Sequence, residues 1–203
     1  MTTPTFGVKY IGSKNKLLPH IDNLISSLTT GIDEPSLIDV FTGTTRVAQH
    51  FRAKGWRVTT SDLAWATQEY SALFMQTSPK DLAQLRQLAA ELDTLRVNPD
   101  KVGWIESQYS DAPASAPGGS PVRVWQRHNA RKADTIRDAI QHWFDTDRID
   151  QTTARRLTAL LILALDSVDN TVGVQQAYLK EWCQRSYNPF TLASTIPPND
   201  WPV

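Results

Sequence analysis

The chain has 203 residues, room for one ordinary domain or a domain with an insert, and at 40% apolar and 21% charged it has globular composition, which excludes a wholly disordered chain. Its 21 basic and 21 acidic residues cancel, so overall charge gives no support for a nucleic-acid partner, which would need a local basic face. The single cysteine, Cys183, excludes an internal disulfide framework and any cysteine-rich zinc site, in keeping with a reducing cytoplasm. From Leu17 the apolar residues Leu17, Leu18, Ile21, Leu24, Ile25 and Leu28 fall at helical spacing, with Pro19 tolerable only in the first turn. Ser36 to Phe41 reads as a short buried strand, Gly43 to Lys54 as a helix closed by Gly55, and Trp56 to Ser61 as a second strand rich in β-branched residues. Strand, helix and strand in that order predict a βαβ unit with a parallel pair.

After Asp62 the pattern turns helical: Ala66, Tyr70, Leu73 and Phe74 on one helix, then Leu82, Leu85, Leu88, Leu92 and Leu95 on another. Arg96 to Arg123 has no periodicity, and its middle, 111–121, is rich in Pro, Gly, Ser and Ala and is expected to be a mobile loop. Helices resume near Arg127, with Ile136, Ile140, Trp143 and Phe144 on one face, and Asp150 is expected to cap the next, which carries Leu157, Leu160, Leu161 and Leu165. A short final helix around Tyr178 to Trp182 and an extended, proline-containing tail complete the expectation. Met1 to Tyr10 lacks the apolar core of a signal peptide, and the apolar run around Leu157 to Leu165 is too short to span a bilayer. The expectation is a cytoplasmic protein with no membrane contact.

The chemistry sits in the βαβ unit. Asp39, Val40 and Phe41 end the first strand, and Thr42, Gly43, Thr44 and Thr45 lead into the helix. Glycine at such a turn lets backbone approach a ligand where a Cβ would clash, and the helix start offers free N–H groups. Asp62 ends the second strand, about 20 residues past the turn, where a carboxylate can accept hydrogen bonds from both hydroxyls of an adenosine ribose. The same pattern also serves any βαβ protein with polar strand ends.

S-L-I-D-V-F-T-G-T-T-R-V-A (36–48) resembles the first S-adenosylmethionine (AdoMet) motif of DNA adenine-N6 methyltransferases, commonly D-L-F-A-G-T-G-S-V. Lys9-Tyr10-Ile11-Gly12-Ser13-Lys14 resembles the family's other AdoMet motif, and Thr60-Ser61-Asp62-Leu63 its second-strand acidic motif. The likeness continues through Asn129-Ala130-Arg131-Lys132, Ile136-Arg137, Asp169-Asn170-Thr171, Gly173 and Ala177 to Lys180. It implies an α/β fold, a Rossmann-like AdoMet-dependent methyltransferase with a partial sheet and a large helical insert. Residues 1–78 would be the AdoMet-binding part, 79–190 the insert with a DNA-contacting region, and 191–203 the tail. Tyr10 and Lys14 would fold over the methionine end of the cofactor, Phe41, Thr42 and Gly43 would floor it, Asp39 would face the ammonium and Asp62 the ribose. Double-stranded DNA is the implied partner. The family's second turn glycine is Thr45 here, which puts cofactor affinity in question.

Arg123, Arg127 and Arg131 recur every four residues beside Lys132, and on one helix they would form a basic stripe for phosphates or simply a solvated face. Trp125 is expected in the core, and no metal site is expected because His128 and His142 lack partners at ligand spacing. Adenine N6 is a weak nucleophile, and the family activates it with an Asp/Asn-Pro-Pro-aromatic motif. The chain's one Pro-Pro pair, Pro197-Pro198, is flanked by Ile196 and Asn199 and does not read as that motif, so no catalytic residue is assigned. Two functions stand: a methyltransferase present as a truncated or split chain that is inactive alone, with the motif on a downstream segment or on a second polypeptide, or a non-catalytic DNA- or protein-binding module derived from one.

Overall fold

A computed structural model describes residues 5–9, 12–112, 119, 121–173 and 177–198. It is a mixed α/β structure with little sheet and many helices. Helix α1 spans Leu18–Leu28, with Pro19 in its first turn as its missing N–H allows. Strand β1 (Ser36–Asp39), helix α2 (Arg46–Ala53) and strand β2 (Arg57–Thr60) form the expected βαβ unit. The strands pair in parallel, with Asp39 opposite Thr60. Both are shorter than the sequence pattern suggests. Val40 and Phe41 already belong to the turn, and α2 starts three residues after Gly43 because Thr42–Thr45 are consumed by a bend held by Thr45 N–H donating to Thr42 O at 2.8 Å.

Helices α3 (Trp65–Met75) and α4 (Pro79–Asp93) follow. A reciprocal cap starts α4: Ser78 Oγ accepts from the Asp81 amide at 3.2 Å and the Asp81 carboxylate accepts from the Ser78 amide at 2.7 Å. The aperiodic stretch holds a short helix, α5 (Trp104–Tyr109), and strands β3 (Ser110–Ala112) and β4 (Val122–Arg123), which pair antiparallel. The expected mobile loop at 111–121 therefore begins inside β3, and its 113–118 and 120 lie outside the described residues. Helix α6 (Arg127–Asp145) and helix α7 (Gln151–Ser167) run as expected, and Asp150 caps α7 by accepting from the Thr153 amide at 2.7 Å.

Tyr178 to Trp182 is not a helix. Thr171 and Tyr178 form an antiparallel bridge, and a 3-10 turn comes later, at Gln184–Tyr187. The reason is a long-range polar hub. The fully buried Asn170 donates its side-chain amide to Arg123 O and to Leu179 O, both at 3.0 Å, and accepts from the Cys183 amide at 2.8 Å. These bonds tie Leu179 and Cys183 to the same side chain that binds β4. In the tail, Ala193–Thr195 is a 3-10 turn, and Phe190 and Leu192 are buried.

The main core lies among α3, α4, α6 and α7, with Phe74, Leu85, Ile136, Leu157 and Leu160 fully buried. Trp125 belongs to it, its indole N–H donating to Leu165 O at 3.0 Å. The first strand is not buried as its apolar run suggests: no described element covers the sheet face bearing Ile38, which is exposed, and so is Phe41 beyond it, 87% accessible. Among the described residues no helix is long and apolar enough to cross a membrane.

Candidate cofactor pocket and basic face

A cavity of about 560 Å³ opens at the C-terminal ends of β1 and β2. In parallel α/β sheets, ligands bind at that end of the strands. Lys14, Asp39, Phe41, Thr42, Gly43 and Asp62, six of the seven residues expected from sequence to hold a cofactor, line this cavity. The seventh, Tyr10, lies outside the described residues.

The backbone brings the two carboxylates together. Ser61 N–H donates to Asp39 O at 2.9 Å and Thr42 N–H donates to Ser61 O at 3.2 Å, so the ladder continues past both strands into the turn. Asp62 accepts from the Gly43 amide at 2.8 Å through one oxygen and from the Ala64 amide at 2.9 Å through the other. These amides hold the Asp62 carboxyl below its ordinary range. Each oxygen keeps a second lone pair for a ligand hydroxyl. Asp39 goes the other way. Burial raises its carboxyl above the ordinary value, opposed by the Thr42 hydroxyl and the Phe41 amide and reinforced by the Asp62 charge. A half-buried carboxylate in this condition gains from a cation beside it. Gly43 has φ +50° and open space where a Cβ would stand, so its requirement is conformational.

Thr45 does not line the cavity. Its side chain turns inward, fully buried, and its hydroxyl accepts from Gln49 Nε2 at 2.8 Å. The departure from glycine therefore leaves the pocket wall alone. Its cost falls on the backbone, since Thr45 has φ +62°, a conformation unusual for a β-branched residue.

Two contributors escaped the sequence reading. Arg46 lines the cavity and donates to Gly7 O at 2.9 Å and to Thr5 O. Gln49, nearly fully buried, accepts from the Phe6 amide at 2.8 Å and donates to Phe6 O at 2.9 Å. Both lie on the buried side of α2, where a polar residue next to Val47, Ala48 and Phe51 was the available signal.

The basic residues do not form a three-arginine stripe. Arg123 lies in β4, and the non-helical residues before Arg127 break the four-residue phase. Its Nε pairs with Asp111 at 2.7 Å, and it donates to Lys180 O. Arg131 pairs with the buried Glu106 at 2.7 Å and donates to Pro99 O at 2.8 Å. Lys132 pairs with Asp93 at 3.1 Å and lies over the Phe190 ring. Arg127 shares Glu106 at 3.3 Å but is 68% exposed, at the first turn of α6. Asp166, in the last turn of α7, and Asp169, just past its end, both have basic partners: Lys9 reaches both, and Arg185 reaches Asp169 at 2.6 Å. Among the described residues no three His, Cys, Asp or Glu converge as metal ligands would.

The sequence pattern of the D12 class N6 adenine-specific DNA methyltransferases matches residues 10–199. The chain belongs to this family. It is 31% identical over 191 residues to the modification methylase StsI of Streptococcus sanguinis, covering 91% of this chain and 28% of the relative. It is 27% identical to the type II methyltransferase M.NlaIII of Neisseria lactamica, covering 93% of this chain and 54% of the relative. The type II methyltransferase M.FokI of Planomicrobium okeanokoites is 24% identical, with 91% of this chain and 28% of the relative covered. The chain thus spans between about a quarter and about half of the length of these relatives. No solved structure matches. The family resemblance read from the three motifs holds.

Proposed function

We propose that this chain is the cofactor-binding part, with the DNA-facing insert, of an AdoMet-dependent adenine-N6 DNA methyltransferase of a type II modification system. The observation that carries the reading is the convergence of six motif residues on one cavity at the strand ends. The cavity's size suits a ligand of nucleoside dimensions. Its donor set suits AdoMet: Asp39 faces the amino-acid ammonium, Asp62 accepts from the ribose hydroxyls, Phe41, Thr42 and Gly43 form the floor, and Lys14 with Tyr10 closes over the methionine end. AdoMet supplies an electrophilic methyl group. In this reading the fold is a Rossmann-like half sheet, with residues 1–78 as the cofactor part, 79–190 as the insert and 191–203 as the tail.

Double-stranded DNA is the proposed substrate, and Arg127 is its proposed first phosphate contact, because it is the most exposed of the four basic residues. Arg123, Arg131 and Lys132 join it by exchanging their present partners for phosphate. The groups that activate adenine N6 are not assigned within residues 1–203. Pro197 is buried, its carbonyl accepts from Arg86 at 3.1 Å, and Ile196 packs on the core, so Pro197 serves packing. The proposal takes the missing acceptor and stacking aromatic from outside these 203 residues, on the same or a second polypeptide. Purified residues 1–203 accordingly transfer no methyl group to DNA. Calorimetry with AdoMet tests the pocket: Asp62→Ala should weaken binding by about 1–3 kcal/mol, the scale of hydrogen bonds to a charged group. Equal affinity in both proteins removes Asp62 from the site.

A further inference from the structure

We infer that Lys9 and Asp169 form a latch through which the cofactor pocket and the Thr171–Tyr178 bridge of the insert influence one another, an inference that rests on the cofactor reading above. The segment Thr5–Lys9 is held at both ends. At its root, Gln49 clasps Phe6 through both backbone groups, and Arg46, itself in the pocket wall, binds Thr5 O and Gly7 O. At its far end, the Lys9 amide donates to Asp166 Oδ2 at 3.0 Å, and Lys9 Nζ reaches Asp166 O at 2.6 Å and Asp169 Oδ1 at 3.4 Å. Gly12, which lines the cavity, follows three residues later. That leaves at most about 11 Å of extended chain between pocket wall and latch.

Asp169 is 5% exposed and has little freedom. One oxygen takes Lys9 and Arg185, and the other accepts the Thr171 hydroxyl. Its neighbour Asn170 donates its backbone amide to Val124 O at 2.8 Å and binds Arg123 O and Leu179 O through its side chain. A shift of Asp169 is therefore a shift of the bridge and of β4 together. A ligand that fixes Gly12–Lys14 restrains Lys9 and, through it, Asp169. By reciprocity the latch must strengthen cofactor binding by the factor with which the cofactor orders the bridge.

The experiment combines calorimetry with AdoMet and amide hydrogen exchange at residues 170–172 and 178–179, with and without AdoMet. The variants are Lys9→Met, Asp169→Asn, the double variant and Lys9→Arg. In the wild type, AdoMet should slow exchange of these amides about fivefold or more, the lower end of common coupling strengths. Lys9→Met should abolish that response and weaken AdoMet by the same factor, the double variant should be no worse than either single one, and Lys9→Arg should restore both. A purely structural role for Asp169 would speed exchange equally with and without AdoMet, and that result overturns the latch. So does a full response in Lys9→Met. Calorimetric binding without any change at the bridge refutes the latch alone, whereas absence of binding in the wild type refutes the cofactor reading as well.

Discussion

Replacing Thr45 by serine, glycine and alanine tests whether the turn is held by a strained residue. Thr45 occupies φ +62°, ψ 11°, a left-handed conformation that costs a β-branched residue roughly 1–2 kcal/mol. Its buried hydroxyl accepts from Gln49 Nε2 at 2.8 Å, and its carbonyl accepts the Gln49 amide at 2.8 Å. Glycine relieves the strain but loses the hydroxyl bond, about 1 kcal/mol, and two buried carbons, Cβ and the methyl, about 1.6 kcal/mol. It also adds about 0.5–1 kcal/mol of unfolded-chain entropy, so the net loss is about 2 kcal/mol. Alanine gives up the hydroxyl and the methyl yet keeps most of the strain, for a net loss of about 2 kcal/mol. Serine keeps the bond and loses the methyl, partly offset by easier backbone, for a net loss of about 0.5 kcal/mol. Urea unfolding followed by circular dichroism should rank the proteins Thr, then Ser, then Gly and Ala about equal. Glycine less stable than alanine by about 1.5 kcal/mol, the burial and entropy cost without any strain relief, would refute the left-handed conformation at this position.

Gly103→Ala should destabilise the chain by about 2 kcal/mol or more in the same assay, since its Cβ would stand 2.1 Å from the Asp134 carboxyl carbon, and Asp134 caps α5 by accepting from the Ile105 and Glu106 amides. Stability unchanged by that substitution would contradict the packing of Asp134 on Gly103. AdoMet affinity should decline with falling pH from a point above 3.8, because Asp39, raised by burial, binds a cation only when ionised and is protonated earlier than an ordinary aspartate. A pH profile unaltered by Asp39→Asn would remove Asp39 from the site. Arg127→Ala should weaken DNA binding alike on all sequences and lower the salt slope by about one unit. An unchanged slope returns Arg127 to a solvated helix face.

The βαβ unit and its carboxylates were legible because they depend on local signals: β-branched runs, a glycine turn and an acid at the second strand's end. So were α6, α7 and the Asp150 cap, through apolar period and capping chemistry. What the local pattern could not show depends on distant partners. Arg123, Arg127 and Arg131 share a four-residue spacing, but β3 claims Arg123 for a strand and Glu106 draws Arg131 inward while Arg127 stays exposed. The helix expected at Tyr178–Trp182 yields to Asn170, whose amide binds Leu179 O. The clasp of Gln49 on Phe6 joins residues 43 apart in sequence, and no periodicity marks such a pair.

The central claim is that AdoMet occupies the cavity at the ends of β1 and β2. Ultraviolet crosslinking of tritiated AdoMet to the purified chain, followed by peptide mapping, tests it most directly. Label is expected in peptides carrying Gly12–Lys14 or Asp39–Val47, competed away by unlabelled AdoMet and reduced in Asp62→Ala. Competable label confined to peptides outside the cavity wall, or no competable label at all, would contradict it.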